Sequence, residues 1–318
     1  MRILLTDTLM SRFVAEAAND GHEWIMMPGA TEEEILRELP TADVLVAFRV
    51  TERMAAAAPK LRLVHCGGAG VDQIAFDALG PDVRVCNTFH HGRSIAEHVV
   101  MVSLMLSRRV ITADRLMRQG IWRSAAADPT VEFGDTLAGR TVGVVGLGEI
   151  GTEVVRALTG LGMRARAVRR NAKAPTSVPL DRVDGMDGLD DLLAGSDIVV
   201  LTVPLTDETH GMIGARELAL MRDHALLINV ARGQLVDEDA LYDALVEGQI
   251  AGAGLDVWWA RAIDGVRGYT RPFDQLDQVV LTPHFSGHTT ETFSARAREI
   301  VANIARLDNG EPLSNVVR

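Results

Sequence analysis

Short aliphatic runs alternate with stretches of helical periodicity along the whole chain, the pattern of parallel-sheet α/β architecture. In the first part, strands are expected at residues 3–6, 44–47, 62–65 and 84–86. Thr31, with Glu34 following, reads as a capping box that opens a helix over 32–39. A longer helical segment runs from Ser94 towards Arg109 and is apolar on nearly all sides, so it is either deeply buried or a subunit interface. A second α/β series starts at Thr141, with strands expected at 142–145, 164–168, 198–202, 226–229, 252–256 and 279–281. The last helix, 291–307, carries Phe293, Ile300, Val301, Ile304 and Leu307 on one face, and Asn309-Gly310 stops it.

A length of 318 residues exceeds one comfortable core, so two domains are expected. The net charge of -11 argues against nucleic acid as a partner, because phosphate binding needs a basic face. Cys66 and Cys86, the only two cysteines, stand in apolar runs with no CxxC pair or Cys/His cluster of metal-binding spacing. That pattern predicts a reduced, cytoplasmic protein without a metal site. The apolar run after Met1 is too short for a signal peptide. The longest apolar stretch, 99–106, falls far below membrane-spanning length, so no membrane partner is expected.

The sharpest local signal is Val142-Gly143-Val144-Val145-Gly146-Leu147-Gly148-Glu149-Ile150-Gly151, a strand running through G-x-G-x-x-G into a helix. Gly146 permits a tight turn, Gly148 lets a pyrophosphate approach the backbone, and Gly151 allows close helix–strand packing. The helix N-terminus, with Glu149 and Ile150, then offers N–H groups to the phosphates. This is a Rossmann dinucleotide site lying in mid-chain. In an NAD site the next strand ends in an acid that binds the ribose 2′-hydroxyl. Here the strand runs into Arg169-Arg170-Asn171, and guanidinium groups pair with a 2′-phosphate where an acid would repel it. NADP(H) is the expected cofactor, with NAD(H) possible.

Four later segments follow in order: Leu201-Thr202-Val203-Pro204-Leu205-Thr206, Asn229-Val230-Ala231-Arg232-Gly233-Gln234-Leu235-Val236-Asp237, Ala253-Gly254-Leu255-Asp256-Val257 and Thr282-Pro283-His284. With Gly67-Gly68-Ala69-Gly70-Val71-Asp72 before them, they resemble the D-isomer-specific 2-hydroxyacid dehydrogenases over nearly the whole chain. The resemblance implies two Rossmann-like or flavodoxin-like α/β domains with parallel sheets. The cofactor domain, 94–287, would be inserted into a substrate domain of 1–93 and 288–318, with the active site in the cleft. It implies that Arg232 grips the substrate carboxylate and polarises the 2-oxo group, an apt task for a permanently charged, bidentate donor. It makes His284 the acid/base, donating a proton to the oxygen that becomes the hydroxyl. It further implies that the Ala69 and Gly70 N–H groups complete the carboxylate site. It sets Val203, Pro204, Thr209, Val230, Ala231, Arg232, Asp256, His284 and Gly287 around the cofactor, Asp256 beside the nicotinamide.

The resemblance breaks where most members carry a Glu that pairs with the catalytic His. Here that position is Arg261, in Trp258-Trp259-Ala260-Arg261-Ala262. Without a carboxylate partner His284 is expected to titrate lower. Three accounts stay open: Asp264 swings in as a replacement, Arg261 faces the cleft and selects a second anionic group, or His284 works alone. The formate dehydrogenase branch also lacks this Glu, and its His precedes Tyr-Ser-Gly much as His284 precedes Phe285-Ser286-Gly287. The run Ala96-Glu97-His98-Val99-Val100-Met101 is similar to that branch too, but its N-terminal extension and substrate-loop residues are missing. His90 and His91 are expected to be pocket or loop residues, and His288 an exposed residue near a helix N-terminus.

The expected protein is therefore an NADP(H)-dependent 2-oxo-acid reductase of glyoxylate or hydroxypyruvate type, homodimeric through the 95–109 region. The alternatives are a dehydrogenase for another small anion, such as formate or phosphite, and a catalytically weak NAD(P)-sensing protein.

Overall fold

The computed structural model describes residues 1–18, 21–131, 133–260 and 267–318. The chain divides into two compact units, Met1–His90 with His288–Arg318, and His91–Gly287.

In the first unit the strands are β1 (Arg2–Leu5), β2 (Glu23–Met26), β3 (Val44–Val46), β4 (Leu63–His65) and β5 (Arg84–Cys86). They form one parallel sheet in the order β2-β1-β3-β4-β5. Helices α1 (Thr8–Ala17), α2 (Glu32–Glu38) and α3 (Glu52–Ala56) alternate with the strands. Alternate side chains of β1 explain why both faces are apolar: Leu4 joins a core with Ile35, Met54 and Val64, whereas Ile3 and Leu5 join Met10, Val14 and Ile300. The capping box of α2 forms, with the Thr31 N–H bonded to Glu34 at 2.8 Å. Strand β2 escapes a reading of periodicity because its four residues open on an exposed Glu23 and none is fully buried.

The second unit opens with α4 (Gly92–Ser107) and α5 (Val110–Arg118). Seven strands follow: β6 (Thr141–Val145), β7 (Arg164–Val168), β8 (Arg182–Asp184), β9 (Ile198–Leu201), β10 (Leu226–Asn229), β11 (Gly252–Leu255) and β12 (Val279–Leu281). Between them lie α6 (Glu149–Gly160), α7 (Leu189–Gly195), α8 (Ala215–Leu220) and α9 (Glu238–Val246). The sheet is parallel, in the order β12-β11-β10-β9-β6-β7-β8. Helix α4 stops two residues before Arg109, which takes a left-handed φ of 49° and breaks the helix. Its apolar character serves two environments. Ile95, Val99 and Val102 pack on the sheet with Val142 and Ile228, while Met101 and Leu104 stay exposed.

The remaining helix, α10 (Thr290–Asn309), belongs to the first unit and ends at Gly310, φ 70°. Of its expected apolar face, Phe293, Ile300 and Ile304 are buried against α1 and β1, and Val301 and Leu307 are half-buried. No helix among the described residues is long and apolar enough to cross a membrane.

Candidate active site

The cofactor and acid/base candidates of the second unit lie where strands of one sheet end. The order reverses between β6 and β9: β6 continues to β7 on one side and meets β9 on the other. Ligands of open parallel sheets bind at such a switch point, outside the carboxyl ends of the strands. The G-x-G-x-x-G turn follows β6 and leads into α6. Gly146 has φ 97°, and a Cβ there would stand 2.7 Å from Val203 Cγ1. A Cβ at Gly151 would run into the Gly146 carbonyl oxygen, whereas one at Gly148 would meet nothing within 4 Å. The space before the helix is therefore open. The first intrahelical bond runs from Thr152 N to Gly148 O, 3.0 Å, so the positive end of the helix dipole faces the glycine turn. These residues fit a dinucleotide pyrophosphate.

At the end of β7 the two arginines part ways. Arg169 folds back on its own turn, Nη2 donating to the Ala174 carbonyl and, at 3.5 Å, to that of Ala172. Arg170 is exposed and makes no hydrogen bond or ion pair among the described residues; Lys173 is exposed in the same turn. Asp184 of the neighbouring β8, in register with Val168, pairs with Arg182 at 2.6 Å.

After β9, Val203 is buried and Pro204 exposed. The Thr209 hydroxyl closes this loop, donating to Pro204 O and accepting Thr206 N, each at 2.8 Å. After β10, Val230 and Ala231 are buried and Arg232 half-buried. Asn229, 1% exposed, brackets Arg232: its Oδ1 accepts Ala231 N at 3.1 Å and its Nδ2 donates to Arg232 O at 2.8 Å. Gly233 lies against the Trp258 carbonyl, leaving no room for a side chain. Periodicity marks Asn229 as the end of a strand, but its bracketing role shows only in three dimensions.

Asp256 follows β11 and is 1% exposed. Its oxygens accept the Thr282 hydroxyl at 2.6 Å and the N–H groups of Phe285 and Ser286 at 3.0 Å each. It thereby holds the turn after β12 that presents His284, which is exposed with a left-handed φ of 57°. The ring of Phe285 meets His98 of α4 edge-on, centroids 5.6 Å apart. Burial draws the His98 pKa down, with the Asp256 charge opposing. Gly287 ends this turn, where a Cβ would stand 3.5 Å from His91 Cβ. Arg261 and Asp264 fall outside the described residues.

In the first unit Ala69 and Gly70 are half-buried in the loop after β4. His90 takes φ 65° and its Nε2 lies 2.8 Å from Glu299. His91, in the second unit, is buried at the start of α4. His288 is exposed, edge-on to Phe293 just before α10. Cys66 and Cys86 are buried free thiols, each pushed up to about 11 by burial.

Residues 100–286 match the family described as D-isomer specific 2-hydroxyacid dehydrogenase, NAD binding domain. A glyoxylate reductase of Thermococcus onnurineus is 36% identical over 310 residues, 95% of this chain and 89% of that protein. The crystal structure of the TT0316 protein from Thermus thermophilus superposes with a TM-score of 0.86 at 30% identity, covering 100% of both chains. An NADPH-dependent glyoxylate/hydroxypyruvate reductase of Sinorhizobium meliloti, solved with NADP and sulfate, superposes with a TM-score of 0.81 at 25% identity, covering 99% of this chain and 98% of that one. Together with the sheet order and the glycine turn, these matches make the chain a member of the D-isomer specific 2-hydroxyacid dehydrogenase family, an oxidoreductase that uses a nicotinamide dinucleotide.

Proposed function

We propose that the protein reduces a small 2-oxo acid of glyoxylate or hydroxypyruvate type to its D-2-hydroxy acid with NADPH. The observation that carries this reading is the gathering of the glycine turn, Arg232 and His284 at the carboxyl ends of strands β6, β10 and β12 of one sheet. The glyoxylate reductase relatives support the substrate class. Arg170, exposed where an NAD site has its acid, supports NADPH. Arg169 supports it less directly, by ordering the turn that carries Arg170 and Lys173.

Within this reading, Gly146, Gly148, Glu149, Ile150 and Gly151 receive the pyrophosphate on the N-terminus of α6. Val203, Pro204, Thr209, Val230, Ala231, Asp256 and Gly287 form the remaining walls of the cofactor site. When bound, the reduced nicotinamide supplies a hydride to the 2-oxo carbon. Arg232 pairs with the carboxylate and draws electron density towards the 2-oxo oxygen. His284 gives that oxygen its proton and is reprotonated from solvent, to which the residue is exposed. The first unit acts as the substrate domain, its Ala69 and Gly70 N–H groups serving the carboxylate, and the second as the cofactor domain.

A second copy of the chain is the proposed protein partner. Met101 and Leu104 of α4, Val110, Ile111 and Met117 of α5, and Trp122 beyond it are all exposed. So dense a run of large apolar side chains supports this reading. The buried reduced thiols support a reducing, cytoplasmic setting.

The deciding experiment is the oxidation rate of NADPH and NADH with glyoxylate, hydroxypyruvate, pyruvate and dianionic 2-oxo acids. Faster turnover with NADPH and a small 2-oxo acid is expected. Tight NADPH binding without turnover on any of these acids would overturn the reading.

A further inference from the structure

The loop after β4 has three successive carbonyls tied down from within the first unit. Gly68 O accepts Thr88 N at 3.2 Å, Ala69 O accepts Asn87 Nδ2 at 2.8 Å, and Gly70 O accepts the Cys66 thiol at 3.1 Å. A trans peptide is planar, with its N–H opposed to its C=O. The carbonyl of Gly68 shares a plane with the N–H of Ala69, that of Ala69 with the N–H of Gly70, and that of Gly70 with the N–H of Val71. Each anchored carbonyl therefore turns the following N–H away from its donor. None of these N–H groups donates a hydrogen bond among the described residues.

The loop has little freedom to rotate out of this arrangement. A Cβ at Gly67 would stand 2.7 Å from Met10 Cγ, and one at Gly68 would stand 2.6 Å from Phe48 Cε1. Asn87 is itself held: it is 8% exposed, and its N–H donates to Asn315 O at 3.1 Å. The neighbouring Thr88 hydroxyl donates to Glu299 of α10. Of the three anchors, Thr88 uses a backbone group that any residue supplies, and a thiol is a weak donor. The Asn87 amide is the strong side-chain donor.

We propose that Asn87 is a positioning residue for anion binding: by holding the Ala69 carbonyl it aims the Gly70 N–H, in line with that of Ala69, at the carboxylate of the 2-oxo acid. Successive outward N–H groups form a concavity suited to an anion, and hydrogen bonds to a carboxylate are charge-assisted. This inference rests on the reading of Ala69 and Gly70 as a carboxylate site. Because Asn87 acts through the Ala69 carbonyl, its effect belongs in substrate affinity, with cofactor affinity untouched.

The test compares wild type with Asn87→Ala and Asn87→Asp. It measures kcat and KM for glyoxylate at saturating NADPH, the Kd of oxamate for the NADPH-bound protein by calorimetry, the Kd of NADPH, and Tm. In Asn87→Ala, KM and the oxamate Kd should rise about tenfold, as for loss of one hydrogen bond to a charged group. The NADPH Kd should stay near wild type, and Tm should fall by no more than the few degrees that one buried hydrogen bond accounts for. In Asn87→Asp the same loss should be relieved as pH falls, because a protonated acid can again donate to the Ala69 carbonyl. Should the alanine variant fold poorly, this pH-dependent recovery of oxamate binding carries the test alone. An active wild type whose variants bind oxamate normally overturns this inference while leaving the reductase reading intact. Parallel losses in Tm, NADPH affinity and kcat reduce Asn87 to a structural tie and also overturn it. A wild type that neither reduces glyoxylate nor binds oxamate overturns both readings.

Discussion

The carboxylate of Asp256 accepts the backbone N–H of Ser286 at 3.0 Å, two residues beyond His284. Its other oxygen takes the Phe285 N–H and the Thr282 hydroxyl, so one buried acid closes the whole turn that presents the histidine. His284 sits there in a left-handed conformation, which costs a non-glycine residue about 1–2 kcal/mol and so must be held by its surroundings.

Replacing Asp256 by Asn turns one charged acceptor into a donor facing a backbone N–H. The loss is on the order of 1.5–3 kcal/mol per bond. We expect kcat to fall about 10–100-fold while NADPH affinity stays within a few-fold. His284→Ala should remove about 10²–10⁴-fold of the rate, the usual share of a positioned acid/base. Steady-state kinetics and NADPH fluorescence titration check both. Collapse of NADPH affinity with kcat preserved in Asp256→Asn would make Asp256 a cofactor contact instead.

The two strand-end arginines should separate under mutation. Arg170→Ala is expected to raise KM for NADPH about tenfold, the scale of one charge-assisted contact, and to leave KM for NADH nearly unchanged. Arg169→Ala unties the turn at Ala172 and Ala174 and should weaken both cofactors. Equal effects of the two substitutions on the NADPH/NADH ratio would refute this division.

His65 makes stability depend on pH in the acid range. Fully buried, its Nε2 lies 3.0 Å from the Asn303 amide and its pKa is drawn down to about 4 by burial. The unfolded chain has its histidine near 6.5. Above that value both states are neutral and the full contribution is present. As pH falls from 6.5 towards 4 the unfolded state takes up a proton that the fold refuses, and roughly 3 kcal/mol is lost. Urea midpoints at pH 7 and pH 4.5 should differ accordingly, and His65→Gln should flatten the difference. An unaltered pH dependence in that variant would assign the effect elsewhere.

If the proposed partner is a second copy held through the exposed apolar run of α4 and α5, charges placed there should separate the copies. Met117→Glu combined with Trp122→Glu should bring the light-scattering mass down to that of one chain, with the far-UV circular dichroism retained. A wild type that is already monomeric at micromolar concentration would refute the interface.

Much of the fold is legible in the sequence. Residues 84–86, 164–168, 226–229 and 279–281 form the expected strands to the residue: 226–229 and 279–281 are buried, nearly unbroken aliphatic runs, whereas 164–168 alternates arginine with buried alanine. The glycine turn was legible for a similar reason: each glycine answers a local backbone demand. Strands β2 and β8 were not, since short, partly exposed edge strands carry no such run. Nor could sequence assign the two apolar sides of α4, because an interface and a core select the same side chains.

What the sequence by itself determined was the α/β class, the run of alternating elements, the dinucleotide turn and the family. The first three follow from local patterns of burial and glycine, and the family from the resemblance of the segments at 201–206, 229–237, 253–257 and 282–284. The tertiary structure decided which groups hold which. It turned Arg169 inward and left Arg170 exposed, set Asp256 beneath the His284 turn, bracketed Arg232 with Asn229, and joined Asn87 to the Ala69 carbonyl. None of these hydrogen bonds leaves a periodicity behind, whether it closes one turn, as from Asn229 to Arg232, or joins distant residues, as from Phe285 to Asp256. The distant ones exist only once the strands that carry their ends lie side by side.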